Sequence, residues 1–181
     1  MWFKNFFTLS LLILCYSTVA LAIPAPFIKT ITTSSLKQIK DAENFTTLLY
    51  SAVLTEQQLE VSGNKDYQLA IGELFFTPPL FGAYKKDYEE ILKTGEEGCI
   101  NHRVFLNSQE IIQNFWVGKI TLTKTNTLVP VYLGVRNEGL NTKIGLMLHL
   151  VLTTDGWRIE DISDLDLKNS LNEQLQTCLK Q

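Results

Sequence analysis

Aliphatic side chains fall on every second position from Ile144 to Leu152 (Ile144, Leu146, Leu148, Leu150, Leu152), and Lys143, Gly145, Met147, His149 and Val151 take the positions between them. A period of two places the first set on one face of a β-strand. Asp155-Gly156 follows, and Trp157 and Ile159 resume the apolar pattern. An Asp-Gly pair between two such runs predicts a hairpin with a type I′ turn, both central residues at positive φ. The hairpin from Lys143 to Ile162 thus presents a wide apolar surface, and the upstream chain is expected to cover it.

Upstream, the spacing is helical. Phe45, Leu48, Leu49, Ala52 and Val53 recur at steps of three and four, with Lys40, Asp41, Glu43, Glu56 and Gln57 assigned to the other faces. Ser62-Gly63-Asn64 breaks the chain before a second stripe, Tyr67, Ala70, Ile71, Leu74 and Phe75. Thr77-Pro78-Pro79 ends it, because consecutive prolines remove amide donors; a separate third helix through Leu80, Tyr84, Tyr88, Ile91 and Leu92 is favoured over a kink, with Gly95 and Gly98 closing it. Between 100 and 114, Val104–Leu106 reads either as a short strand or as the start of a loop carrying Asn107–Asn114. Trp116, Gly118, Ile120 and Leu122 alternate as a strand, Thr125-Asn126-Thr127 turns the chain, and Val129, Val131, Leu133 and Val135 share a face of the next strand. Pro130 lacks an amide donor and predicts an edge position or a bulge there. Asn137-Glu138-Gly139 supplies the turn into the central hairpin. A last helix is expected from Ser163, with Asp166 completing its cap and Leu167, Leu171, Leu175, Cys178 and Leu179 as its stripe. The order is helices, antiparallel strands, then one short helix: an α+β domain with N-terminal helices packed on a curved antiparallel sheet.

The first 22 residues have the three parts of a secretory signal peptide: Lys4 in a short start, an apolar run from Phe6 to Tyr16, and Ala20-Leu21-Ala22 as a cleavage site. Lipid attachment at Cys15 is the weaker alternative, since Leu14 stands where such signals want a small side chain. Residues 23–35, with Pro24, Pro26 and a Thr/Ser-rich run, read as a flexible leader, and 36–181 as one domain. Removing residues 1–22, which hold one lysine and no acid, takes the net charge from −3 to −4. The lysines are scattered, so the chain has neither a nucleic-acid-binding patch nor a polybasic membrane motif.

In an exported chain, Cys99 and Cys178 are expected to form a disulfide. A metal centre is disfavoured, since Cys99 with His102 is at most half a site and His149 lies far away. No G-x-S-x-G nucleophile motif and no glycine-rich phosphate loop is present. Asn44-Phe45-Thr46 matches a glycosylation sequon, but Phe45 belongs to the apolar stripe.

The leading helices, the stretch Phe75-Phe76-Thr77-Pro78-Pro79-Leu80, and strands ending in Asp155-Gly156-Trp157-Arg158-Ile159-Glu160-Asp161-Ile162 resemble the NTF2-like (cystatin-like) superfamily, in particular secreted bacterial proteins of the DUF3828 type. The resemblance spans Leu36 to Leu179 and implies a cone between sheet and helices. In enzymes of this superfamily the cone holds an acid or base beside a hydrogen-bond donor. Asp161, His149, Tyr132 and Tyr84 are the corresponding candidates here, with no cofactor. For Asp161 a structural role, ending its strand or binding backbone near the last helix, is weighed against proton transfer. If Trp116, Trp157 and the phenylalanines fill the cone, no ligand cavity is left. Two functions follow as expectations. One is a non-enzymatic periplasmic or secreted protein that binds another protein, in the manner of an immunity or inhibitor protein. The other is a small-ligand binder or isomerase-like enzyme. Open sheets of this superfamily often pair, so the resemblance also raises a homodimer through the exposed sheet face.

Overall fold

A computed structural model describes residues 31–60, 67–100, 103–106, 111–137 and 140–180. The signal segment, the leader up to Thr30, Cys15, His102, the Ser62-Gly63-Asn64 break and Glu138-Gly139 lie outside the described residues. The elements run α1 (Thr33–Lys37), α2 (Ala42–Glu60), α3 (Tyr67–Phe75), α4 (Pro78–Thr94), β1 (Ile112–Val117), β2 (Thr121–Leu122), β3 (Thr127–Asn137), β4 (Leu140–Thr153), β5 (Gly156–Asp164) and α5 (Leu171–Cys178). The strands form one antiparallel sheet in the order β1-β3-β4-β5, with β2 also paired to β3, so the architecture is α+β with an open curved sheet. Helices α2 and α3 cover its inner face, and α5 lies against β5 and α4. Among the described residues, no helix is long and apolar enough to cross a membrane.

The expected leader ends earlier than its composition suggests. Ile31 is buried, and Thr32 caps α1 by accepting from the Ser35 amide at 3.2 Å. Asp41 starts α2 in the same way, through the Asn44 amide at 2.7 Å. Pro78 and Pro79 occupy the first two positions of α4, where their missing donors cost nothing, and Gly95 ends that helix at φ 71°.

The alternation in β4 is realised where helices cover it. Leu146, Leu148 and Leu150 are buried, Ile144 is half-buried, and Leu152 at the hairpin tip is exposed. Val129, Val131 and Leu133 of β3 and Ile159 and Ile162 of β5 line the same face. Opposite them, Phe45, Tyr50, Phe75, Phe76 and Phe105 are fully buried, with Phe76 stacked on Phe105 at 5.1 Å. Each such ring contributes about 1.5–3 kcal/mol on leaving water.

Several expectations are corrected. The hairpin turn is not type I′: Asp155 is not at positive φ and only Gly156 is, at 94°. That pattern fits a type I turn followed by a left-handed glycine. Thr153 Oγ1 accepts from the Asp155 amide and donates to the Gly156 carbonyl. Gly156 is required twice over, since a Cβ there would also lie 2.8 Å from the Leu36 carbonyl oxygen. The strand expected from Trp116 to Leu122 is two strands. It begins at Ile112, stops at Val117 and resumes at Thr121.

Pro130 sits between paired strands, opposite Met147 on one side and facing that interruption on the other. The Gly118 amide donates to the Pro130 carbonyl at 2.7 Å. The nitrogen and carbonyl of one strand residue point the same way, so the missing donor faces the gap between β1 and β2. At the other edge, the Thr77 amide donates to the Ile159 carbonyl and Phe76 forms a parallel bridge to Ile159.

The last helix does not start at Ser163. Strand β5 runs on to Asp164, Leu167 adopts φ 62° and is exposed, and Ser170 caps α5 by accepting from the Glu173 amide at 3.1 Å. Leu92 is exposed on α4, off the apolar stripe. Glu56 and Gln57, assigned to faces other than the apolar stripe, are buried as well.

Candidate functional site

The four candidate residues occupy three places. Asp161 and His149 are cross-strand partners on the outer face of the sheet, brought level by a bulge in β5. Tyr132 lies on β3 of that face and stacks on Trp116 with ring centroids 5.6 Å apart, while Lys143 Nζ covers the Trp116 ring at 5.1 Å. Tyr84 is on α4 in the core, edge-on to Phe76 at 5.8 Å. Burial, reinforced by Tyr67, Tyr88 and Asp87, pushes the Tyr84 phenol well above the ordinary tyrosine range.

Asp161 has both carboxylate oxygens engaged. Oδ1 accepts from the Ile162 and Asn172 amides, each at 2.9 Å, and Oδ2 accepts from Ser170 Oγ at 2.6 Å. The Asn172 amide belongs to the first turn of α5, so Asp161 and Ser170 together satisfy the start of that helix. His149 Nε2 is 3.0 Å from Ser163 Oγ, and Ser163 is buried. The Ser163 hydroxyl also lies 3.1 Å from the Asp164 carbonyl oxygen, a second hydrogen-bond acceptor.

Phe45, Phe75, Phe76 and Phe105 are buried between the helices and the sheet, in the space expected to form the cone, whereas Trp116 stands on the outer face with Tyr132. Two surface grooves flank the Cys99–Cys178 disulfide, whose Cα atoms are 5.7 Å apart. One, of about 420 Å³, is lined by Asn169, Ser170, Glu173, Gln174 and Thr177 of the turn and α5. The other, of about 330 Å³, lies between the second half of α4, the Glu96–Cys99 loop and the end of α5. Cys99 is consumed in the bridge, and no group of three metal-ligating side chains occurs among the described residues. The bridge is compatible with an oxidising, exported location.

The periodicity missed a set of polar side chains that fasten the segment between α4 and β1. Asp87, buried on α4, accepts from the Cys99 amide at 2.7 Å and the Ile100 amide at 3.3 Å, which positions Cys99 for its bridge. Gln68 accepts from the Val104 amide at 3.0 Å, and Tyr50 donates to the Phe105 carbonyl at 3.1 Å. The Gln57 amide both donates to and accepts from the backbone of Ile112, at 2.9 and 3.0 Å. Helices α2, α3 and α4 thus each give polar side chains to the backbone of this segment and of the start of β1. One signal was available: Asp87 falls on the stripe Leu80, Tyr84, Ile91, and a carboxylate there must find donors.

No protein-family model, no curated protein and no solved structure matches the chain.

Proposed function

We propose that this is an exported, non-enzymatic protein of the periplasm or extracellular space that works by binding another protein, in the manner of an immunity or inhibitor protein. The observation that carries this reading is the engagement of Asp161. The carboxylate best placed for proton transfer by sequence spends both oxygens on the start of α5. His149 is hydrogen-bonded to Ser163 on the outer face, Tyr132 is stacked beneath Trp116, and Tyr84 is in the core. General acid–base work needs such groups to converge on one reacting atom. The acidic balance of the chain and the bridge between its middle and its end suit a small, exported binding protein. The helix–strand order and the Asp155–Ile162 ending support a resemblance to the NTF2-like superfamily as part of this reading. The test is capture from periplasmic extract on the immobilised, oxidised chain. Recovery of a stoichiometric partner is expected, and recovery of none under varied growth conditions overturns the reading.

A further inference from the structure

Resting on that protein-binding reading, we propose that the groove between α4 and α5 receives a lysine- or arginine-bearing segment of the partner. Its volume, about 330 Å³, suits one or two long side chains. The floor is apolar, made by Ile91, Leu179 and the disulfide, and the rim carries Glu90, Glu96 and Glu97. An apolar floor beneath an acidic rim matches the two parts of a long cationic side chain, an aliphatic stem and a charged head. Lys93 is 3.4 Å from Glu90 and partly offsets it, and Lys86 also lines the groove. Glu96 and Glu97 have no cationic partner among the described residues.

A second source of negative potential comes from the backbone. Helix α4 ends at Gly95 on the groove's margin, and the carbonyl end of a helix favours a cation. The walls are also fixed before binding. Asp87 holds the Cys99 and Ile100 amides, Gly98 sits so close to Ile91 and Asp87 that a Cβ would collide with both, and the disulfide ties the loop to α5. A preformed groove spares a partner the entropy of ordering it. The 420 Å³ groove across the disulfide is lined by polar side chains of α5 and its preceding turn and lacks this apolar floor.

The test has two arms, both on the oxidised chain. In the first, amide chemical shifts are followed during titration with a capped peptide alternating leucine and lysine, and with matched peptides carrying glutamate or norleucine instead of lysine. Saturable shifts confined to 86–98 and 178–180 are expected with the lysine peptide only. Glu96→Lys with Glu97→Lys, in an exposed loop, should weaken binding about tenfold, as reversing two rim charges does. Shifts centred on Trp116 and Tyr132, equal binding of the norleucine peptide, or no effect of the double variant would overturn the proposal. In the second arm, wild type and double variant are used as baits. A partner kept by the double variant overturns the groove while leaving the binding reading intact. Capture by neither overturns both. Loss of an identified partner whose contacting segment is basic supports the groove, and self-association lost in the double variant would instead make the occupant a second copy and overturn it.

Discussion

Replacing Asp161 separates a carboxylate that builds the fold from one that does chemistry. Two of its three accepted bonds, from Ser170 Oγ and the Asn172 amide, join β5 to the start of α5, and the third is from the Ile162 amide of β5 itself. A hydrogen bond to a charged group contributes about 1.5–3 kcal/mol, and loss of a helix cap costs about 0.5–2 kcal/mol. Asp161 is half-buried, so water replaces part of what is lost. Asp161→Ala should therefore cost about 2–3 kcal/mol, with Ser170 Oγ and the Asn172 amide left unsatisfied. Asp161→Asn keeps one acceptor for the amides, and its new NH2 group can donate to Ser170 Oγ, which has a free lone pair. That variant should cost about 1 kcal/mol or less. In urea, with m of roughly 2 kcal/mol/M for a domain of this size, the alanine variant should unfold about 1 M earlier and the asparagine variant close to wild type. Hydrogen exchange should show the loss first in the amides of α5. An unchanged midpoint for Asp161→Ala would refute the assignment. Equal losses for the two variants would mean that negative charge near the helix start, not the bonding geometry, is what matters.

Three further outcomes are expected. Removing the disulfide with Cys99→Ala and Cys178→Ala frees a loop of 79 residues and should lower stability by about 4–5 kcal/mol in the chain-entropy model, read as a urea midpoint shift with the oxidised chain as reference. Gly156→Ala should cost about 2 kcal/mol or more, measured by thermal unfolding, since an L residue resists φ 94° and the new Cβ presses on the Leu36 carbonyl. Burial raises the phenols of Tyr50 and Tyr84 in the folded state. The unfolded chain therefore releases these protons first, so their contribution is complete below about pH 10 and is lost as pH rises beyond it. Tyr84→Phe should flatten that alkaline decline in urea midpoints taken across pH 9–11.

The strands of the central hairpin were legible because a face covered by helices must alternate, and Leu146, Leu148 and Leu150 do. The start of β1 was hidden by a register irregularity between Ile112 and Asn114. It puts Ile112 and Phe115, an odd number of positions apart, on the core side, so no simple period survives. The end of β5 was hidden for a similar reason. Leu167 continues the four-residue spacing of Leu171 and Leu175, yet it sits in a left-handed turn in solvent. At the candidate site, a bond from Asp161 toward the last helix was foreseeable, but its meeting with His149 depends on the β5 bulge, which shifts register without a residue signature. The roles of Gln57 and Gln68 were illegible because their partners are backbone groups, which every sequence possesses, and for Asp87 the stripe showed only that it needed donors, not which ones.

The interrupted strand opposite Pro130 bears on how this sheet avoids sticking to others. An open sheet exposes a row of unpaired amides and carbonyls at each side, which can template the addition of a foreign strand and lead to fibres. Here one border consists of pieces six and two residues long with a gap between them. The opposite border is partly occupied by the chain itself, through Phe76 and Thr77 on Ile159. Neither border offers a long, straight template, so the protein can keep an open sheet at high concentration without recruiting neighbouring chains by strand addition.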